Sequence, residues 1–315
     1  MADSTPLNLV LQSFDNDPWI INQRIFDILN MYLQPNATLS PTTAAQEIDK
    51  LFPLNRPREE DKENEEPESF LWEMWGVVVS VAEQIPWEHP GQTRLVEVIQ
   101  ALNDLPGPKT VQMDGWGKLV IWSDLPLLDP VMTEIGHSYG IRFMFFLYCF
   151  ASDFSGIVTG INLEDTSDAQ EAIRTRQRNF VAFSARLTQS CLTDRSLYFS
   201  IHVFRDAFEE EPDHRSKAYL RQGPRLNVYV PLASIWILLC GNVIFAHCRN
   251  PLTPLPDFSD AGKNWKGAKG HSIERWNFWK KRFGEIKEHD QASEKTRELA
   301  AEGERVMNRI ESEAS

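Results

Sequence analysis

Cysteine is scarce in this chain, with four in 315 residues. That is too few to staple a fold of this length, and none falls in the paired short spacing of a structural zinc site. Phosphate-binding glycine loops are also missing. Gly156, Gly160, Gly262, Gly267 and Gly270 lack the spacing and the flanking strand and helix that a nucleotide loop needs. No serine sits in a nucleophile elbow, since Ser155-Gly156 and Gly160 stand among apolar residues without a strand–turn–helix context. Met1–Val10 carries no basic stretch ahead of an apolar one. A secretory leader is therefore not expected, and a reducing intracellular home is, cytoplasmic with a nuclear location left open. Positive charge is in deficit, 32 Lys and Arg against 45 Asp and Glu, for a net charge of −13. Such a balance argues against a broad grip on nucleic acid or anionic lipid.

What the chain does have is ordinary globular material, 42% hydrophobic and 24% charged. Its punctuation is helical. Asp17-Pro18 and Ser40-Pro41 each set a capping residue before a proline at the first helical position. Ile21, Ile25, Ile28, Leu29 and Tyr32 share one face of the first helix, and Ile48, Leu51 and Phe52 belong to the second. Helices are expected from Phe70 to Ile85, after Trp87-Glu88-His89-Pro90 through Leu102, from Asp168 to Leu187 and from Leu197 to Glu210. Gly115 to Tyr139 predicts an irregular, well-packed connection, and Ile141 to Phe150 fits either a strand or a buried helix. Ser272 caps a Trp-rich helix. No internal repeat emerges. The expectation is an all-α fold, a single large irregular helical bundle forming one domain over 1–315. Within it, residues 56–68 form an acidic mobile loop and 291–315 a helical or frayed C-terminal tail.

Leu226 to Cys248 contains no charged residue, a length that could cross a bilayer. A core helix of a water-soluble bundle is the preferred reading. Pro231 suits a first helical position, which would shorten the helix to about eighteen residues. Asn227, Asn242 and His247 would want partners in lipid, and Ser234, Gly241 and Cys248 form a seam of small residues for a neighbouring helix.

Several segments recur in one known pattern. They are His89-Pro90-Gly91-Gln92-Thr93-Arg94-Leu95-Val96 with Ala101-Leu102 and Leu105-Pro106, Trp122-Ser123-Asp124-Leu125-Pro126, and Asn179 to Leu187. Phe204-Arg205-Asp206-Ala207-Phe208-Glu209 and the Trp236-Ile237 helix with Gly241 follow, then Trp265-Lys266-Gly267 and Glu274 to Phe283. In this order they resemble a family of filamentous fungi catalogued as domain of unknown function 3632. The resemblance implies a helical fold and an intracellular fungal protein, and brings no activity, cofactor or catalytic residue.

Candidate chemistry is thin. Cys240, His247 and Cys248 lie at i, i+7 and i+8 and could share a helix face, but a structural zinc needs four ligands, so no metal is expected. Cys149 and Cys191 have no histidine close in sequence. His89 before Pro90 suits a residue at a helix start whose side chain caps or bonds across the turn. Arg186 and Arg205-Asp206 sit among apolar neighbours, which predicts internal ion pairs among them and with Glu97 or Asp104. From Lys263 to Lys287, basic residues interleave with aromatics, a pattern that could bind single-stranded nucleic acid or an acidic partner. The competing reading is an amphipathic helix with Ile273, Trp276, Trp279, Phe283 and Ile286 in the core while Lys281 and Arg282 face water, and a further reading lays the acidic 59–68 loop against it.

The resulting expectation is an interaction or regulatory module without catalysis of its own. It would have a protein partner, no nucleic acid, no membrane and no cofactor. Trp265, Phe278, Lys281 and Arg282 form its expected contact surface. The alternative is a small-molecule binder or enzyme with an aromatic-lined pocket between helices, in which His89, Asp124, Arg186 and Arg205 orient the ligand.

Overall fold

The computed structural model describes residues 5–12, 18–57, 65–107, 109–139, 161–193, 196–251 and 261–314. Asp17, the charged run 58–64, Ile141 to Phe150 with Cys149, the loop through Ser155, Gly156 and Gly160, and Pro254 and Pro256 lie outside them. Among the described residues the architecture is all-α, with ten α-helices and one two-stranded hairpin. The chain forms two compact units, Met1–Ile135 and Gly136–Ser315.

The first unit holds α1 (Ile20–Leu33), α2 (Pro41–Leu51), α3 (Pro67–Gln84) and α4 (Gly91–Asn103). Ser40 caps α2 as its sequence predicts, its Oγ accepting from Thr43 N at 3.0 Å with Pro41 in the first turn. The first helix instead opens at Ile20, after Trp19, and Pro18 stays outside it. Ile21, Ile25, Leu29 and Tyr32 of α1, Ala44 and Ile48 of α2, Phe70, Met74 and Trp75 of α3, and Leu95 and Ile99 of α4 are buried together as the core. α1 packs on α2 and α3, and α2 on α4. Residues 5–12 are laced to this bundle through backbone groups. Gln34 exchanges two hydrogen bonds with Leu7 and Gln84 two with Val10.

The connection after α4 is more ordered than its sequence predicts. β1 (Lys109–Met113) and β2 (Gly117–Ile121) pair antiparallel about the turn at Asp114-Gly115. Gly115 and Gly117 both take positive φ, which glycine adopts without strain. Beyond the hairpin, Trp122, Leu125 and Leu127 also take positive φ, at 68°, 42° and 67°. Such backbone costs side-chain-bearing residues about 1–3 kcal/mol each, so the surroundings must over-determine it. They do. Asn103 Nδ2 donates to the carbonyls of both Trp122 and Ser123. Trp122 Nε1 donates to Asp49 at 2.6 Å, Trp75 Nε1 to the Pro126 carbonyl at 2.6 Å, and Val120 N to Asp124 Oδ2 at 2.7 Å. α5 (Leu128–Ser138) follows.

The second unit is built round α8 (Gly223–Arg249), with α6 (Asp168–Gln189), α7 (Ser196–Phe204), α9 (Ile273–Ile286) and α10 (Glu294–Glu313) packed on it. Ser167, Ser272 and Ser293 cap α6, α9 and α10 through their hydroxyls. One expectation for α8 fails. Pro231 does not start the helix but lies inside it, and the continuous helix is 27 residues, about 40 Å. The proline in its first turn is Pro224. An interior proline gives up one N–H bond and crowds a carbonyl, at a cost near 3 kcal/mol. Burial of Leu226, Val228, Val230 and Pro231 itself offsets that cost. By length and composition α8 could cross a membrane, while 67% of its most apolar window is buried in the structure. Its small-residue seam is in use. Ser234 Oγ bonds the carbonyls of Val230 and of Leu299 in α10, and Ile310 presses on Gly241.

Candidate functional site

A fully buried polar cluster lies inside the second unit, where α7 runs into a π-helical turn, Arg205–Glu209. Glu210 N reaches back to the carbonyl of Arg205, five residues earlier. Glu209 ends this turn with its side chain buried, and π-turns of this kind often mark sites with a special role. Arg225 of α8 donates to the carbonyls of Asp206 and Ala207 in the turn.

Glu209 is fully buried, and its carboxylate accepts four hydrogen bonds. Arg275 Nε reaches Oε1 at 2.7 Å and Nη2 reaches Oε2 at 2.9 Å, a bidentate pair. Trp279 Nε1 donates to Oε1 at 2.8 Å, and the backbone N–H of Gly262 to Oε2 at 2.8 Å. Arg275 is equally buried, and its Nη1 donates to the Gly270 carbonyl at 2.9 Å. The main chain adds a clasp, with Asn264 N donating to the Glu209 carbonyl at 2.9 Å and Asn264 Nδ2 to the Glu211 carbonyl. Only glycine fits at 262, where an added Cβ would stand 2.5 Å from Glu209 Cβ and 2.9 Å from its backbone.

Beside this pair sit Ser200 and His271, with Ser200 Oγ 3.2 Å from His271 Nε2. The geometry is not that of a nucleophile and its base. Ser200 Oγ spends its one proton on the Leu197 carbonyl at 2.6 Å, so the histidine donates to the serine. Burial, with Arg275 and His247 nearby, pushes His271 down to about 3, and both residues are closed to solvent. Burial also pushes the thiols of Cys240 and Cys248 up to about 12, which keeps them protonated. Among the described residues no three His, Cys, Asp or Glu side chains converge as a metal site would need.

The residues marked from sequence are distributed as follows. His89 is buried, its Nδ1 accepting from Gly91 N at 3.0 Å while Nε2 faces the Thr5 carbonyl at 3.2 Å, so it closes the turn into α4. Asp124 holds the strained turn described above. Arg186 lies on α6 with Nη1 at 3.3 Å from the Ala182 carbonyl, and burial pulls its guanidinium down to about 10. Arg205 pairs with its neighbour Asp206 at 3.3 Å. Glu97 instead accepts from Tyr32 and Asp104 from Gln100. The four are each engaged locally, His89 and Asp124 in the first unit, Arg186 and Arg205 in the second. Two open grooves, of about 460 and 470 Å³, are lined by none of them.

The contact residues fare differently. Trp265 and Phe278 meet with ring centroids 5.4 Å apart and both are half-buried at the surface. The core stripe of α9 is Trp276, Trp279, Phe283 and Ile286, with Ile273 half-buried. Lys281 faces water, but Arg282 does not. Its side chain is 14% exposed because Glu211 holds it at 2.9 Å and Glu285 adds a second contact. The basic stretch is largely neutralised by carboxylates of its own unit, with Lys280 on Glu311, Lys281 on Glu285 and Lys287 on Glu304.

Fold and site together define a predominantly helical protein organised, in its second unit, about a buried carboxylate–guanidinium hub. The chain belongs to the family described as Protein of unknown function (DUF3632), whose model matches residues 75–283. No curated protein and no solved structure matches it.

Proposed function

We propose that this chain is a helical interaction or regulatory module, without catalysis of its own, whose second unit offers the Trp265–Phe278 surface to a protein partner. The observation that carries this reading is the saturation of Glu209. A carboxylate that does acid–base or nucleophilic work needs a free oxygen lone pair facing a substrate. This one is closed to solvent and already holds Arg275, Trp279 and the Gly262 N–H. What the hub supports is a loop, and that loop carries Trp265.

The indole lies across Gly267, where an added Cβ would come within 2.3 Å of the ring, and its Nε1 donates to the Ala268 carbonyl at 2.8 Å. A ring fixed before contact loses little entropy on binding, and tryptophan is enriched among interface residues that carry affinity. The internal neutralisation of α9 favours a protein over nucleic acid as partner. The buried seam of α8 supports a protein working in water, in the cytoplasm or nucleus, rather than in a bilayer.

The test is quantitative crosslinking of the chain in its own cells, with a Trp265→Ala/Phe278→Ala variant of unchanged melting temperature alongside. Protein crosslinks at Lys266 and Lys281 are expected in the first and lost in the second. Identical crosslinks in both would refute the surface. A metabolite that raises the melting temperature, with no protein crosslinked, would make the chain a small-molecule binder instead.

A further inference from the structure

The net charge of −13 is not shared between the units. Residues 1–135 carry 8 Lys and Arg against 22 Asp and Glu, a net of −14, while residues 136–315 carry 24 against 23, a net of +1. All of the excess negative charge belongs to the first unit. That unit also has an open groove of about 470 Å³ between the start of α2 and the end of α4. Pro41, Ala101, Leu105 and Pro106 supply apolar walls. Among the described residues, the charged side chains that line it are Glu97 and Asp104, both exposed.

We infer that this groove holds an extended, basic segment of a partner protein. Charge complementarity selects the occupant. An anionic or purely apolar segment would meet two carboxylates within a strongly negative unit, whereas a cationic one is drawn to them and steered from a distance. Spacing adds a constraint. Glu97 on α4 and Asp104 at its C-cap are seven residues apart, about 10 Å at helical rise. A polyproline II chain repeats its face every third residue, about 9 Å along. A segment in that conformation with a basic residue at every third position sets successive cations over the two carboxylates, and its prolines lie against Pro41, Leu105 and Pro106. This proposal uses none of the Trp265 surface, so either can fail alone.

The probe is a fluorescein-labelled (Arg-Pro-Pro)4 peptide, titrated with the full chain at 0.15 M salt and read by anisotropy. Binding is expected, weakened at least tenfold by Asp104→Lys or by Ala101→Trp, which fills the groove. Asp114→Lys makes the same change of charge at the exposed hairpin tip and is expected to weaken binding less than threefold. A peptide of the same composition with its four arginines in one block is expected to bind at least fivefold more weakly, and (Glu-Pro-Pro)4 not at all. Circular dichroism and melting establish that each variant is folded. Equal losses from Asp104→Lys and Asp114→Lys would overturn the groove in favour of a diffuse field. No binding of (Arg-Pro-Pro)4, or indifference to Ala101→Trp in a folded variant, would also overturn it.

Discussion

Glu209 and Arg275 show how much one buried pair can hold. Removing either partner leaves the other charge without compensation in a dry interior, a loss of about 3–5 kcal/mol in comparable sites. Glu209→Gln and Arg275→Met are each expected to destabilise the chain by that order in urea unfolding. The double variant Glu209→Leu/Arg275→Met recovers only part of the loss. Trp279 Nε1, the Gly262 N–H and the Gly270 carbonyl still lose their partners, at about 1–3 kcal/mol each where they stay buried. A double variant as stable as the parent would show that the carboxylate is not the hub of the loop.

His271 gives a second residue-scale expectation. Its folded value, about 3, lies below the ordinary 6.5, so the unfolded chain takes up this proton first. Stability from this group is fully present above pH 6.5 and falls as pH drops toward 3, by a few kcal/mol at most. His271→Gln is expected to flatten the decline in melting temperature between pH 7 and pH 5, and an unchanged slope would show that other groups cause it. Neither residue of this centre was marked from the sequence, although Arg275 carried a signal. Arg275 falls four residues before Trp279 on the apolar stripe of α9, and a charge on such a stripe demands a partner. Glu209 gives no such sign, because a regular helix would carry it off the face of Phe204 and Phe208. It is buried at the end of a π-turn, which the sequence pattern does not announce.

At the scale of elements, several helix boundaries followed local chemistry, although the Pro18 start did not. Ser40, Ser272 and the helix formers from Asp168 to Leu187 could be read directly, because capping hydroxyls and 3.6-residue periodicity act within a few residues. The hairpin was missed although Asp114-Gly115 is a strong turn pair, since its short strands alternate weakly between exposed and buried positions. Pro231 misled because local rules cannot weigh tertiary burial against one missing N–H. The seam of α8 was legible, and it makes a graded expectation. At Gly241 an added Cβ would lie 2.7 Å from the terminal methyl of Ile310, an atom that can swing aside. Gly241→Ala therefore gains about 1 kcal/mol of helix propensity against a modest repacking cost and should be near neutral. Gly241→Leu has no such escape and is expected to lose about 2 kcal/mol or more in thermal unfolding, by separating α10 from α8. Equal stability of the two variants would mean that the seam is loosely packed.

For the whole molecule, composition conceals what matters electrostatically. An overall −13 suggests one evenly acidic protein, yet the excess resides in the first unit and the second is balanced to within one charge. Like charges on a compact unit repel through solvent, and salt screens that repulsion over about 10 Å at 0.1 M. The second unit has little self-repulsion to relieve, and its surface pairs, such as Lys287 with Glu304 and Lys281 with Glu285, are weakened by the same salt. Raising NaCl from 0.02 to 0.3 M at pH 7.5 is therefore expected to stabilise the first unit and to leave the second unchanged or slightly less stable. Hydrogen exchange read by mass spectrometry resolves the two. Amides of α1 to α4 should gain protection with salt while those of α6, α8 and α10 do not. A uniform gain across both sets would mean that salt acts by a general solvent effect and that the segregation of charge has no bearing on stability.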